Sequence, residues 1–102
     1  MEVITRKPLR EFGEKWPNAK GPLELWYRVT RRARWANFAE VKATFGQTDQ
    51  AKVKSGNTVA VFYVGGNKYR LVAAIKYRRQ VVYVLRVLTH SEYDADRWKE
   101  EL

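Results

Sequence analysis

The sequence predicts an α+β fold, with helices in the first half of the chain followed by an antiparallel β-sheet in the second. Up to residue 46 the apolar residues recur at helical spacing, whereas from residue 58 they are mostly β-branched or aromatic and follow the period of strands. The chain has 102 residues, of which 45% are hydrophobic, and this composition is too apolar for a disordered segment. We therefore predict a single domain over residues 1–102.

The first half is predicted to begin with a short strand over residues 2–5, where the side chains are largely β-branched. Apolar residues at helical spacing predict a helix from Lys7 to Trp16, which Pro17 is expected to end. Gly21 and Pro22 indicate the start of a second helix, which is amphipathic and basic. Its arginines and the one that follows it are Arg28, Arg31, Arg32 and Arg34.

A third helix is predicted to follow Asn37, because Glu40 three residues later completes a capping box, and to stop at Gly46. The next segment, Gln47–Asn57, is polar and is expected to form a mobile loop. Three tryptophans lie on or beside the helical stripes and are expected in the core; they are Trp16, Trp26 and Trp35. Trp98 is expected to pack, with a docking role as the alternative.

The second half predicts three antiparallel strands. Thr58–Val64 is apolar on both faces, and Gly65-Gly66-Asn67 supplies residues that tolerate the positive φ angles of a turn. Lys68–Tyr77 alternates, with Leu71 on one face and Arg70 on the other, and Val81–Leu88 follows the turn at Arg78-Arg79-Gln80. If that turn has three residues, Arg70 lies opposite Arg86.

The charge distribution predicts a polyanionic partner. The chain has 20 Lys and Arg residues against 11 Asp and Glu, a net charge of +9, and no Cys, which excludes disulfides and thiolate metal sites. No acidic residue lies between Asp49 and Glu92. That stretch carries the basic residues Lys52, Lys54, Lys68, Arg70, Lys76, Arg78, Arg79 and Arg86. Nucleic acid and an acidic protein both fit this composition.

The sequence has no signal-peptide pattern at its start and no apolar run of the length that a membrane span requires. We therefore expect a soluble intracellular protein. Without a P-loop, a nucleophile elbow or carboxylates among the basic residues, we expect neither a cofactor nor a bound metal. RNA is then the natural substrate for any phosphodiester chemistry, because its own 2′-OH can attack the adjacent phosphate.

Several residues are candidates for such chemistry, and each has a plainer explanation. Arg70 and Arg86 facing one another would repel, and a phosphate between them would relieve that repulsion, but both could instead be solvated strand residues. His90 could transfer protons or be an ordinary surface or capping histidine. Tyr93 could act as an acid or base if nearby cations lowered its pKa, or could simply pack.

Two segments resemble a known family. Gly65-Gly66-Asn67-Lys68-Tyr69-Arg70-Leu71-Val72 and Thr89-His90-Ser91-Glu92-Tyr93-Asp94 are similar to the HigB-type toxins of bacterial type II toxin-antitoxin systems, in the RelE-like superfamily. The resemblance extends to Val3-Ile4-Thr5, Leu25-Trp26-Tyr27 and the segment from Trp35 to Lys42. It implies a small twisted antiparallel sheet flanked by N-terminal helices. It also implies a metal-independent toxin that cleaves mRNA, generally on the ribosome, and a HigA-type helix-turn-helix antitoxin.

With the resemblance, we expect Arg70, Lys68 and Arg86 to bind the scissile phosphate, and His90 and Tyr93 to share the acid and base roles. The expected supporting residues are Thr89, Glu92 and Asp94, of which Glu92 or Asp94 would hold His90 or cap the local turn. The expected RNA-binding residues are Asn67, Lys76, Arg78, Arg79, Arg31 and Arg32. A non-catalytic RNA-binding or ribosome-binding module, or a pure interaction protein, remains the alternative.

Overall fold

The computed structural model describes all 102 residues and confirms the α+β class. Its strands are β1 (Glu2–Ile4), β2 (Thr48–Lys52), β3 (Thr58–Val64), β4 (Tyr69–Lys76) and β5 (Val81–Thr89). Its helices are α1 (Lys7–Lys15), α2 (Pro17–Arg32), α3 (Phe38–Thr44), α4 (His90–Asp94) and α5 (Arg97–Glu101). None of these helices has the length and apolar character needed to cross a membrane.

The sheet has the strand order β1-β5-β4-β3-β2. Strands β2 to β5 form an antiparallel meander, which contains the three predicted strands. Strand β1 pairs with β5 in parallel, so that the complete sheet is mixed. Because the partner of β1 lies almost 80 residues further along the chain, local sequence patterns carry no information about this pairing.

The first three helices contribute to the larger core on one face of the sheet. There Phe12, Leu23 and Trp26 are buried with alternate strand residues such as Phe62 and Leu71. The alternation predicted for β4 is therefore confirmed. This core contains 15 buried residues and packs the helices against one face of the sheet. The opposite face carries the candidate residue Arg70.

Two details of the helical half differ from prediction. Helix α2 begins at Pro17, not at Gly21, because Pro17 occupies the first helical position after a break at Trp16. Pro22 lies inside α2 and forgoes only one backbone bond. Trp26 and Trp35 are buried as predicted, but Trp16 is 39% exposed, because it lies at the junction between the two helices.

The prediction of a mobile loop over Gln47–Asn57 was wrong, because this segment contains β2. Strand β2 forms the edge of the sheet and pairs with β3. The Thr48 side chain is buried, and its hydroxyl donates to the Phe45 carbonyl at 2.6 Å. A polar edge strand has no apolar alternation to reveal it, since most of its side chains face solvent.

The predicted pairing of Arg70 with Arg86 was also wrong. The turn between β4 and β5 has four residues, and a β-bulge interrupts the register between Val72 and Ala73. Arg70 therefore lies opposite Leu88, and Arg86 opposite Val72. The extra residue brings Arg86 onto the sheet face away from the main core, the face that also carries Arg70.

That second face has a smaller core of its own. Val53, Val59, Val61, Val72 and Trp98 are buried together, with Tyr63 and Tyr93 packed against them. Trp98 is 2% exposed, in agreement with the packing interpretation. The two short helices α4 and α5, which no sequence pattern predicted, thereby lie against the face that carries Arg70.

Candidate active site

The candidate site is centred on Arg70, near the start of β4. Although it is an arginine, Arg70 is only 4% exposed, because strand alternation directs its side chain into the smaller core. No Asp or Glu oxygen lies within ion-pair distance of its guanidinium. A buried cation without a carboxylate partner is costly, so such a residue is unusual in a purely structural role.

The guanidinium is held by neutral groups on several sides. Its Nη1 donates to the carbonyls of Asn67 at 3.0 Å and Tyr69 at 3.2 Å, and its Nη2 lies 3.2 Å from Nδ1 of His90. The Cζ atom is 4.0 Å from the centre of the Tyr63 ring and 5.4 Å from that of the Tyr93 ring. Its Nε is buried and has no hydrogen-bond partner.

His90 reaches this position because α4 begins directly after β5. The Thr89 hydroxyl accepts from the Glu92 backbone N–H at 3.2 Å, and the Glu92 carboxylate accepts from the Thr89 N–H at 2.9 Å. This is a complete capping box, which fixes the first turn of α4. The backbone N–H of His90 also donates to the Lys68 carbonyl at 3.1 Å, which joins α4 to the β3–β4 turn.

The contacts of the imidazole define its tautomer. A guanidinium only donates hydrogen bonds, so the Nδ1 atom facing Arg70 must carry a lone pair. The ring proton then lies on Nε2, which is 3.3 Å from the Asp94 carboxylate. Among the predicted supporting residues, Glu92 thus caps the helix and Asp94 contacts His90.

Tyr93 also lies close to Arg70, and its ring is stacked on Trp98 at a centroid distance of 5.3 Å. Burial is the largest influence on this phenol and raises its pKa above the usual value of 10. Lys99 and Arg70 oppose that shift but do not reverse it. The condition that neighbouring cations lower the pKa of Tyr93 is therefore not met, and the phenol keeps its proton at neutral pH.

Two residues that sequence reasoning missed complete the site, Tyr63 and Asp49. Tyr63 lies directly opposite Arg70 in the β3–β4 register, and its hydroxyl donates to Oδ2 of Asp49 on β2 at 2.5 Å. The predicted turn over Gly65-Gly66-Asn67 would have paired Arg70 with Phe62, whereas the observed turn has four residues, 65–68, and pairs Arg70 with Tyr63. Asp49 could not be found either, because its segment was not recognised as a strand.

The β3–β4 turn brings two more predicted residues to the edge of the site. Lys68 and Asn67 are exposed there, and their carbonyls contact His90 and Arg70. The turn depends on Gly65, whose φ is +68° and where a Cβ would lie 2.9 Å from the Tyr69 ring. The side chains of Lys68 and Asn67 have no protein partner in hydrogen bonds or ion pairs.

The remaining predicted residues lie apart from this cluster. Arg86 donates to the Leu85 carbonyl at 2.8 Å, and its Nε is 3.8 Å from Glu101. A distal basic group lies at the opposite end of β4, about 20 Å away at the rise of a strand. It consists of Arg31, Arg32, Lys76, Arg78 and Arg79, which are all exposed. Gln80 connects the β4–β5 turn, which carries Arg78 and Arg79, to the segment that follows α2, because its Nε2 donates to the Trp35 carbonyl at 2.7 Å.

Two further features bear on what the surface can hold. No group of three or more His, Asp or Glu residues is placed to bind a metal ion. A groove lies between α1 and α2, lined by residues such as Leu9, Leu23 and Tyr27, and it contains none of the candidate site residues. The groove is on the helical side of the sheet, and Arg70 is on the opposite face, so the groove is not part of the candidate site.

A basic α+β domain with a buried arginine, an imidazole and a phenol at one end of its sheet has the features of a protein that acts on a polyanion. Residues 19–96 match the HigB toxin family, described as the RelE-like toxic component of a toxin-antitoxin system. This match covers most of the chain, so the chain belongs to the HigB family of RelE-like toxins.

Individual relatives agree with this assignment. The mRNA interferase toxin HigB of Escherichia coli K12 is 34% identical over 94 residues, which cover 92% of this chain and 88% of the relative. The mRNA interferase HigB of Shigella flexneri has the same identity and coverage. That of Escherichia coli O6:H1 is 31% identical over 94 residues, 92% of this chain and 89% of the relative.

Proposed function

We propose that this chain is an mRNA endoribonuclease, the toxin of a type II toxin-antitoxin pair, and that residues 1–102 act as one toxin domain. The observation that carries the proposal is Arg70, a buried cation without a carboxylate partner and in contact with His90 and Tyr93. Family membership and the mRNA interferases among its relatives support the same activity.

A phosphodiester is the anion that fits this site. Carboxylates in contact with Arg70 would compete with a phosphate, and none is present within ion-pair distance. A phosphate is also a stronger acceptor for Nη2 than a neutral imidazole, because the resulting bond joins two opposite charges. Substrate binding would therefore take the place of His90 at Arg70 and release the Nδ1 lone pair for proton transfer.

The proposed reaction needs no external nucleophile. The 2′-oxygen attacks the adjacent phosphorus while His90 takes its proton, and the bond from phosphorus to the 5′-oxygen breaks. Tyr93 gives its proton to that leaving oxygen, and burial keeps the phenol protonated at neutral pH, so that the proton is present to be given. The products are a 2′,3′-cyclic phosphate and a 5′-hydroxyl, and Arg70 stabilises the extra negative charge in the transition state.

Several other residues would hold the RNA. Lys68 and Asn67 on the β3–β4 turn, and Arg86 after release from Glu101, are assigned to phosphates that flank the cleaved bond. The distal basic group is too far from Arg70 to share a dinucleotide with it. We assign it to the backbone of ribosomal RNA, because its side chains are exposed and no acidic residue pairs with them.

We further propose that cleavage takes place on the translating ribosome and that a helix-turn-helix antitoxin neutralises the toxin. The substrate implies action in the cytoplasm. Because the proposed nucleophile is the 2′-OH and the site has no cluster of metal ligands, we expect no metal ion to take part in the cleavage step itself.

The test is induction of the protein in bacterial cells, with new mRNA 5′ ends mapped by sequencing. Wild type should arrest growth and produce discrete new ends within reading frames, whereas folded Arg70→Met should do neither. Arg10→Met, at an exposed position on α1, is the matched control and should behave as wild type. If folded wild type produces no new ends without antitoxin, the enzymatic proposal is wrong and the basic surface is a binding surface.

A further inference from the structure

We propose that Asp49 and Tyr63 form a clamp that positions the Arg70 guanidinium for catalysis. This inference rests on the proposed endoribonuclease activity and assigns a positioning role to two residues outside the motifs that carry the family resemblance. Neither residue is expected to exchange a proton with the RNA. Their proposed effect is to hold the plane of the guanidinium in the orientation that the transition state requires.

The strand pairing places the three residues in a row on one face of the sheet. Asp49 lies opposite Val61, which is on the same side of β3 as Tyr63, and Tyr63 lies opposite Arg70. Neighbouring strands are therefore connected by a phenol–carboxylate hydrogen bond and then by a stacked cation and ring. Rigid sheet residues position a functional group more accurately than a loop does.

The ring of Tyr63 supplies a restraint that the hydrogen bonds of Arg70 do not. Nη1 and Nη2 have hydrogen-bond partners, while Nε has none. The Tyr63 ring is the nearer of the two aromatic neighbours, with Cζ 4.0 Å from its centre. A cation stacked on a ring face at this distance is attracted to it, and the contact resists tilting of the plane.

Asp49 acts through Tyr63 and not through direct contact with Arg70. Its carboxylate accepts the phenol proton, which fixes the rotation of the ring and increases the electron density of its face. The hydrogen bond to Asp49 also raises the pKa of Tyr63, so this phenol stays neutral. Because Asp49 does not form an ion pair with Arg70, the arginine keeps its full charge for a phosphate.

The test compares three variants by two measurements. Tyr63→Phe keeps the ring and removes the hydroxyl, Asp49→Asn removes the charge, and Tyr63→Leu removes the ring. Tyr83→Phe on β5, outside the site, is the matched control. Single-turnover cleavage gives the rate, and binding of an uncleavable RNA with a 2′-deoxy residue at the cut site gives the affinity. Nitrogen NMR of Arg70 measures rotation about the Nε–Cζ bond independently of any cleavage.

We expect Tyr63→Phe and Asp49→Asn to lower the cleavage rate by about tenfold and Tyr63→Leu by about a hundredfold. Affinity for the uncleavable RNA should change by less than about threefold, because orientation of Arg70 matters most in the transition state. Rotation of the Arg70 guanidinium should be faster in all three variants than in the control. This combination separates a positioning role from a general loss of structure.

Three results would overturn the clamp. The first is unchanged guanidinium rotation in Tyr63→Leu, and the second is faster rotation with an unchanged cleavage rate. The third is a loss of affinity that matches the loss of rate, which would make Tyr63 an RNA-binding residue. If wild type cleaves no RNA, the proposed function fails instead, and guanidinium rotation still decides whether the two residues restrain Arg70.

Discussion

Replacement of Arg70 by Met is expected to abolish cleavage while leaving the fold almost as stable as before. In the folded chain Arg70 makes three hydrogen bonds and stacks on Tyr63. Loss of these contacts costs about 6 kcal/mol, at the low end of the range for charged hydrogen bonds plus one cation–π contact. Met removes a buried charge and the unpartnered Nε, whose penalties together are also about 6 kcal/mol.

These opposing contributions cancel to within about 2 kcal/mol, so Arg70→Met should unfold in urea close to wild type. Arg70→Ala should be less stable than Arg70→Met by about 2–4 kcal/mol, because it leaves a cavity in the smaller core. Both variants should cleave RNA at least about a hundredfold more slowly, as expected for loss of a positioned charge.

The assay is urea unfolding followed by tryptophan fluorescence, combined with single-turnover cleavage of the same preparations. The reasoning is refuted if Arg70→Met retains cleavage within tenfold of wild type, since Arg70 then does not act on the phosphate. It is equally refuted if that variant loses more than about 4 kcal/mol of stability, since Arg70 would then be a structural residue that the fold requires.

Three other predictions follow from the same contacts. Nitrogen NMR of the free protein should find the His90 proton on Nε2, and Arg70→Met should lessen that preference because the donor at Nδ1 is gone; a proton on Nδ1 in wild type would contradict the assigned contact. Burial raises the pKa of Tyr77, so the folded chain holds a proton that the unfolded chain releases above about pH 10, and stability should fall as the pH rises beyond that value. Urea unfolding of Tyr77→Phe should show a shallower alkaline decline than wild type or Tyr83→Phe, and equal declines would refute the assignment. Arg78→Gln with Arg79→Gln should lower the slope of log affinity against log salt for duplex RNA by about two and should weaken ribosome binding. Lys20→Gln with Lys42→Gln lowers the overall charge equally and should weaken ribosome binding less.

The sequence could predict the elements whose signals are local. Asn37 was expected to cap α3, and its side chain does accept the Glu40 N–H at 3.1 Å. The alternation in β4 and the glycines before it likewise predicted the β3–β4 hairpin, because strand period and positive φ are properties of adjacent residues. These elements position Arg70, which explains why part of the site could be predicted from the sequence.

The rest of the site depends on pairings between distant segments. The four-residue turn and the bulge in β5 together place Arg86 opposite Val72, two residues from Arg70, and no residue type in the sequence indicates the bulge. Strand β2 is defined by its pairing with β3 and not by its own composition, so the contact of Asp49 with Tyr63 could not be predicted. The burial of Arg70 also could not be predicted, because it depends on α4 and α5, and Trp98 of α5 packs on the same face of the sheet.

The most direct test of the account is cleavage of a single mRNA on translating ribosomes by the purified protein, with a 2′-deoxy residue substituted at the mapped cut site. We predict that the unmodified mRNA yields a 2′,3′-cyclic phosphate and a 5′-hydroxyl, that this reaction is lost in Arg70→Met, and that the single deoxy substitution abolishes the cut. Cleavage of the deoxy-substituted mRNA at the same position, or a 5′-phosphate on the product, would contradict the proposed chemistry at Arg70, His90 and Tyr93.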